Sequence, residues 1–174
     1  MITYNLKGEA KMKKMYLRAL LTTFVLLFCL SPNNPAIAAS AEEDVLRVAT
    51  DFVKAWNTLD FDLLSSLYFH SPKTNEFGPS SYDPFLYQGW ETLEKEWGII
   101  FELPPGTIII SLHDLKATIL KDDVAVVTAY HNFTYTNPET KEQSIQQHRI
   151  THVVQKINGK WLIVHHHASE FALK

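Results

Sequence analysis

Two sets of residues in this chain have the types and spacing to do chemistry. The first centres on Glu76, in a stretch from Pro72 to Gln88 that Pro72, Gly78, Pro79 and Pro84 keep irregular. A carboxylate held there among Trp56, Tyr68, Tyr87 and Trp90 would have its pKa raised by apolar surroundings and could abstract a proton from a bound molecule. The plainer alternative is a solvated loop glutamate. The second set is the row of histidines near the C-terminus: His148, His152, His165, His166 and His167.

Their arrangement follows from one turn. Asn158-Gly159 lies between two apolar runs, a pair of residues that favours a two-residue hairpin of type I′. Counting outward from it pairs Val154 with Ile163, His152 with His165, Ile150 with His167 and His148 with Ser169. One face then carries His148, His152, His165 and His167 among Ile150, Val154, Trp161 and Ile163, and His166 points the other way, toward an interface or solvent. His152 and His165 are the candidate donors beside Glu76, with His167 close by. Three such imidazoles have the ligand type for a transition metal. Yet no cysteine, no helical His-x-x-x-His and no partner acid at a fixed offset accompanies them, so the expectation is no tight metal and no cofactor. In the preceding strand Tyr130, Asn132 and Thr134 alternate against Ala129, His131, Phe133 and Tyr135. Tyr130 and Asn132 are the candidate pocket residues of that strand, with an exposed polar strand face as the alternative for Asn132.

The elements that must position these groups can be read in order. Val45, Val48, Ala49, Phe52, Val53 and Trp56 recur at steps of three and four, predicting a helix over 42–57. Asp60 caps a second, short helix bearing Phe61, Leu63, Leu64, Leu67 and Tyr68. A third runs from Gly89 to about Phe101, burying Trp90, Leu93, Trp97 and Ile100 before Pro104-Pro105-Gly106 stops it. A short strand is expected at 75–77, then a meander of four strands over 107–120, 124–136, 142–157 and 160–171. Helices first and strands second make this an α+β chain. The sheet reads as apolar on both faces, and three short helices cover only one. The other face is therefore expected to meet a second copy, giving a homodimer or larger assembly.

Ahead of all this, Lys11, Lys13, Lys14 and Arg18 precede an apolar run from Ala19 to Leu30, and Ala36-Ile37-Ala38 offers small residues around a cleavage point. Residues 1–38 read as a secretory signal, with Met12 an alternative start, and 39–174 as the domain. The mature protein is then expected to be periplasmic or secreted. Cys29, the only cysteine of the 174 residues, falls within the signal. Losing that segment removes five cations and Glu9, which changes the net charge from −3 to −7. So acidic a surface repels phosphate backbones and anionic lipid, arguing against nucleic-acid and membrane partners.

The segment Val53-Lys54-Ala55-Trp56-Asn57-Thr58-Leu59-Asp60-Phe61-Asp62, the run Glu76-Phe77-Gly78-Pro79 and the ending Asn158-Gly159-Lys160-Trp161-Leu162-Ile163-Val164-His165-His166-His167-Ala168-Ser169 resemble the nuclear-transport-factor-2-like superfamily. The likeness is greatest to SnoaL-like domains and to kinase association domains, and ketosteroid isomerases share the plan. The resemblance implies a cone: a curved, mostly antiparallel sheet of four to six strands wrapped on three N-terminal helices, with a pocket in its open mouth. It puts the isomerases' general-base carboxylate near Glu76 and Asn132 on an inward-facing position. Their phenolic donor falls at Phe52, which cannot donate, and their second donor near Thr151 or His152, so steroid isomerisation is not implied. Two functions stay open: a cone that binds a small, partly apolar molecule, with acid–base chemistry of isomerase, lyase or cyclase type, or a non-enzymatic binding or assembly module.

Overall fold

A computed structural model describes residues 35–78 and 86–171. The segment 1–38, expected from the sequence to be a secretory signal, lies outside the described residues except for 35–38, which are helical. Helix α1, Pro35–Thr58, turns Val45, Val48, Ala49, Phe52, Ala55 and Trp56 into the core. It stops where Leu59 takes a left-handed backbone (φ 52°), and the Asp60 amide then donates to the Ala55 carbonyl at 2.9 Å. Asp60 is also the N-cap of α2, Phe61–Leu67: its carboxylate accepts from the Leu63 amide at 2.8 Å, satisfying a first-turn donor that the helix itself leaves unpaired.

Strand β1, Asn75–Phe77, and β2, Leu86–Gln88, form a small antiparallel pair with Glu76 opposite Tyr87. The expected strand is present at β1. Its partner β2 falls in the stretch read as irregular, because three residues are too few to show a period. Helix α3, Trp90–Phe101, starts at Gly89, whose φ of +88° a side chain would strain. Then come β3, Ile108–Lys121, β4, Val124–Thr136, β5, Gln143–Ile157, and β6, Lys160–Glu170. The six-stranded sheet has the order β2-β1-β6-β5-β4-β3, antiparallel throughout except where β1 runs parallel to β6. This is the open, mostly antiparallel α+β cone that the family resemblance implies.

The helices pack on one face of the sheet. Phe52, Leu64, Tyr68, Trp90 and Trp97 meet Val127, Val154 and Ile163 there, all at most 6% exposed. Asn57 ties α1 to the sheet by accepting from the Ile110 amide at 2.6 Å and donating to the Ile110 carbonyl at 3.0 Å. No described helix is long and apolar enough to cross a membrane.

The β5–β6 hairpin turns as expected, with Asn158 at φ 51° and Gly159 at φ 83°, and the register holds as far as Val154 opposite Ile163. There the expectation fails. A bulge leaves Val164 without a partner, so Val153 meets His165, His152 meets His166, Ile150 meets Ala168 and His148 meets Glu170. One extra residue in a strand reverses every side chain beyond it. His166 therefore faces inward, buried at 4% exposure, and His165 and His167 face outward. The bulge lies where β6 exchanges neighbours: Ile163 bridges to Tyr68 and accepts from the Phe69 amide at 3.0 Å, whereas His165 begins the pairing with β1.

Candidate functional site

A cavity of about 420 Å³ opens between the helices and the inner face of the sheet. Phe52 and Trp56 of α1, Trp97 and Ile100 of α3, and Ile108 and Ile110 of β3 make it largely apolar. Most of its polar groups come from the sheet, Glu76 of β1, His131 of β4, Gln146 and His148 of β5, and His166 of β6, and Glu96 of α3 joins them from the helix side. Tyr87 and Phe133 complete this wall.

Glu76 is 5% exposed, and its Oε2 is a buried oxygen with no hydrogen-bond partner. Burial pushes its carboxyl well above the ordinary range, an effect the neighbouring Tyr68 phenol partly opposes. The carboxyl is brought inward because Asn75, Glu76 and Phe77 alternate along a strand whose outer side packs Phe77 against the rings of His165 and His167.

The histidines form two pairs. His131 Nε2 and His148 Nδ1 lie 2.7 Å apart, and His152 Nδ1 and His166 Nδ1 lie 3.2 Å apart. Phe52 packs its ring on both members of the second pair, with centroids 4.8 Å from His152 and 5.2 Å from His166. Burial, followed by the influence of His148, lowers the His131 pKa to about 4. Burial, followed by His131 and His165, lowers that of His152 to about 3. His166 lies well below its ordinary value for the same first reason, and burial lowers His148 while Glu170 acts against it. All four are neutral near pH 7, so within each pair one ring donates its N–H and the other accepts.

Of the residues singled out from the sequence, Glu76, Trp56 and Tyr87 line the cavity. His152 stands behind it, paired with His166. Tyr68 and Trp90 are buried beside each other with ring centroids 5.8 Å apart, in the core and not on the cavity wall. His165 lies on the outer face, where its Nδ1 pairs with the Asn75 side chain, and His167 lies beside Phe77. Tyr130 is 43% exposed, and Asn132 joins His113 at 3.1 Å and Gln147 at 3.2 Å on the outer face. The bulge moves His165 and His167 away from His152, so these three do not converge on one point. Among the described residues no group of three or more histidines, cysteines or acids is placed to hold a metal ion.

Among the wall residues that the sequence reading did not place in the site are His131, Phe133 and His166. Two had a visible signal. Along β4 the small or apolar residues Ala125, Val127 and Ala129 mark the buried face, and His131 and Phe133 continue that alternation. For His166 alternation gives the opposite answer.

A family model described as a SnoaL-like domain matches residues 45–174. No curated protein matches the chain. Among solved structures, a nuclear transport factor 2-like superfamily protein from Salmonella enterica is similar at 20% identity and a TM-score of 0.65, over 79% of this chain and 95% of that one. A ketosteroid isomerase-like protein from Erwinia carotovora atroseptica is similar at 17% identity and a TM-score of 0.60, over 75% and 96%. The association domain of the C. elegans calcium/calmodulin-dependent kinase II is similar at 20% identity and a TM-score of 0.60, over 78% and 99%. At these identities the structural likeness concerns the fold.

Proposed function

The chain belongs to the SnoaL-like family, and on that footing we propose that it is an exported domain whose cone binds a small, largely apolar molecule and carries out acid–base chemistry on it through Glu76. The observation behind this reading is a carboxyl group 5% exposed, with one oxygen unpartnered, in the wall of an apolar cavity of about 420 Å³. A buried acid with a raised pKa is unstable as a structural element and useful as a proton carrier near neutral pH. Trp56 of the same wall brings a buried indole N–H with no partner, a donor suited to an oxygen on the ligand. Phe52, which replaces the donor of the isomerases, instead shields His152 and His166.

Deuterium uptake tests the chemistry. The purified protein is incubated in heavy water with a panel of small apolar carbonyl compounds, and loss of the protons next to the carbonyl is followed by NMR. At least one compound should exchange faster with protein, and Glu76→Gln should abolish the gain while leaving binding intact. Undiminished exchange in that variant removes Glu76 from the mechanism. Export is tested by sequencing the N-terminus of the secreted protein, which should begin at Ala39.

A second reading has its own support. Phe77, Tyr130 and Ile145, each at least 43% exposed, lie on the sheet's outer face and are apolar side chains that a second copy would cover. Light scattering at micromolar concentration should report a homodimer or larger species, and a monomer contradicts this account of the face.

A further inference from the structure

The two histidine pairs have no role in the chemistry assigned to Glu76. His131, His148, His152 and His166 occupy three neighbouring strands, and none is more than 4% exposed. Buried histidines are ordinarily fixed by a carboxylate or a backbone carbonyl. Among the described residues the rings of these four hydrogen-bond only to each other, at 2.7 and 3.2 Å. His131 Nδ1, His148 Nε2 and His152 Nε2 are left buried with no partner, and unpaired buried nitrogens cost stability. Such an arrangement persists in a core face when something else uses it.

Two neutral imidazoles that share one N–H···N contact have room for one more proton. Taking it up turns the contact into a charge-assisted hydrogen bond, but the buried positive charge then needs an anion beside it. Among the described residues the cavity wall has no lysine or arginine. An anionic ligand entering it finds no fixed positive charge, and the nearest compensation is a proton on the histidines.

We propose that the cavity takes a weak organic acid, an apolar molecule carrying one carboxylic acid group, and holds it together with one proton on the histidine pairs. This rests on the reading that the cavity binds a small apolar molecule, and adds to it the class of polar group and the coupling to protons. The other ionisable groups around the array are few. Glu76 of β1 is the strand neighbour of His166, Tyr68 bridges to Ile163 and interacts with Glu76, His165 and His167 flank His166 along β6, Glu170 acts on His148, and Glu96 of α3 lines the cavity. The two buried acids gain nothing from being charged there, because burial raises both. Low pKa values for the empty histidine array agree with a site that becomes positive only when an anion accompanies the proton.

The test compares 2-naphthoic acid with 2-naphthamide by titration calorimetry on the purified protein, in buffers of different ionisation heat. The acid should take up close to one proton per molecule bound near pH 7.5, and its affinity should fall about tenfold per pH unit above that, as linkage of one proton requires. The amide's affinity should stay flat with pH. In the double variant His131→Gln, His148→Gln the acid should lose its proton uptake and its pH dependence while the amide still binds. Should that variant fail to fold by circular dichroism, His152→Gln gives the same readout on the second pair. Acid binding without proton uptake overturns the proposal, as does uptake that survives both histidine variants, which would place the proton on Glu76 or on the ligand's own carboxyl group. If acid and amide bind alike with no proton linkage, this proposal falls and the ligand-binding reading stands; if neither binds, both fall.

Discussion

Acidification should weaken this fold by an amount that its buried histidines set. His152 is 1% exposed, and its pKa drops from 6.5 to about 3 in the folded protein. The unfolded chain takes up a proton at this residue as the pH falls through 6.5, while the folded protein does not until near 3. The stability is therefore complete above 6.5 and is lost progressively as the pH falls toward the folded value. Each pH unit in that window costs about 1.4 kcal/mol, so the 1.5 units between 6.5 and pH 5 remove about 2 kcal/mol through His152 alone. His131, lowered to about 4, adds a loss of similar size over the same interval, and His166 acts in the same direction. Against a typical total of roughly 5–15 kcal/mol this is a large share. Glu76 acts oppositely, since its raised pKa makes the folded state bind the extra proton. The clean measurement is therefore a difference. Urea unfolding of the wild type and of His152→Gln is followed at pH 7 and pH 5, which cancels the Glu76 contribution. The gap in unfolding free energy should move by about 2 kcal/mol in favour of the variant on going to pH 5. A gap that does not change with pH refutes the assignment of His152 as a buried neutral imidazole.

Three further outcomes follow from particular contacts. Glu76→Gln should raise the melting temperature, by more at pH 8 than at pH 5, because stability at a group of raised pKa is lost as the pH rises above the unfolded value; equal gains at both pH values count against a buried acid. Asn57→Ala breaks both bonds to the Ile110 backbone and should cost roughly 2–3 kcal/mol in chemical denaturation, through two lost hydrogen bonds and a stranded backbone pair. Asp60→Ala removes the acceptor 2.8 Å from the Leu63 amide and should cost about 1 kcal/mol, the ordinary value of a helix N-cap, read as a lower melting temperature.

Much of the architecture is local, and the sequence determines it. The apolar period of Val45 to Trp56, the aspartate at position 60 and the Asn158-Gly159 turn act through neighbours along the chain, so helices, cap and hairpin are legible without tertiary knowledge. So is the face of β4 on which His131 lies, since alternation from Ala125 meets no interruption before it. Glu76 was legible by residue type, but its burial was not. Two three-residue strands bring it inward, and pairing with distant β6 stabilises them, a contact that spans 90 positions of chain. The identity of the inward-facing histidines on β6 was decided by tertiary structure alone. Side-chain alternation carries information outward from a turn only until the first bulge. Here the bulge at Val164 arises because Ile163 must meet Tyr68 and the Phe69 amide while His165 must pair with Asn75. Those two demands come from segments far away in sequence, and between them they exchange His165 for His166 on the cavity wall.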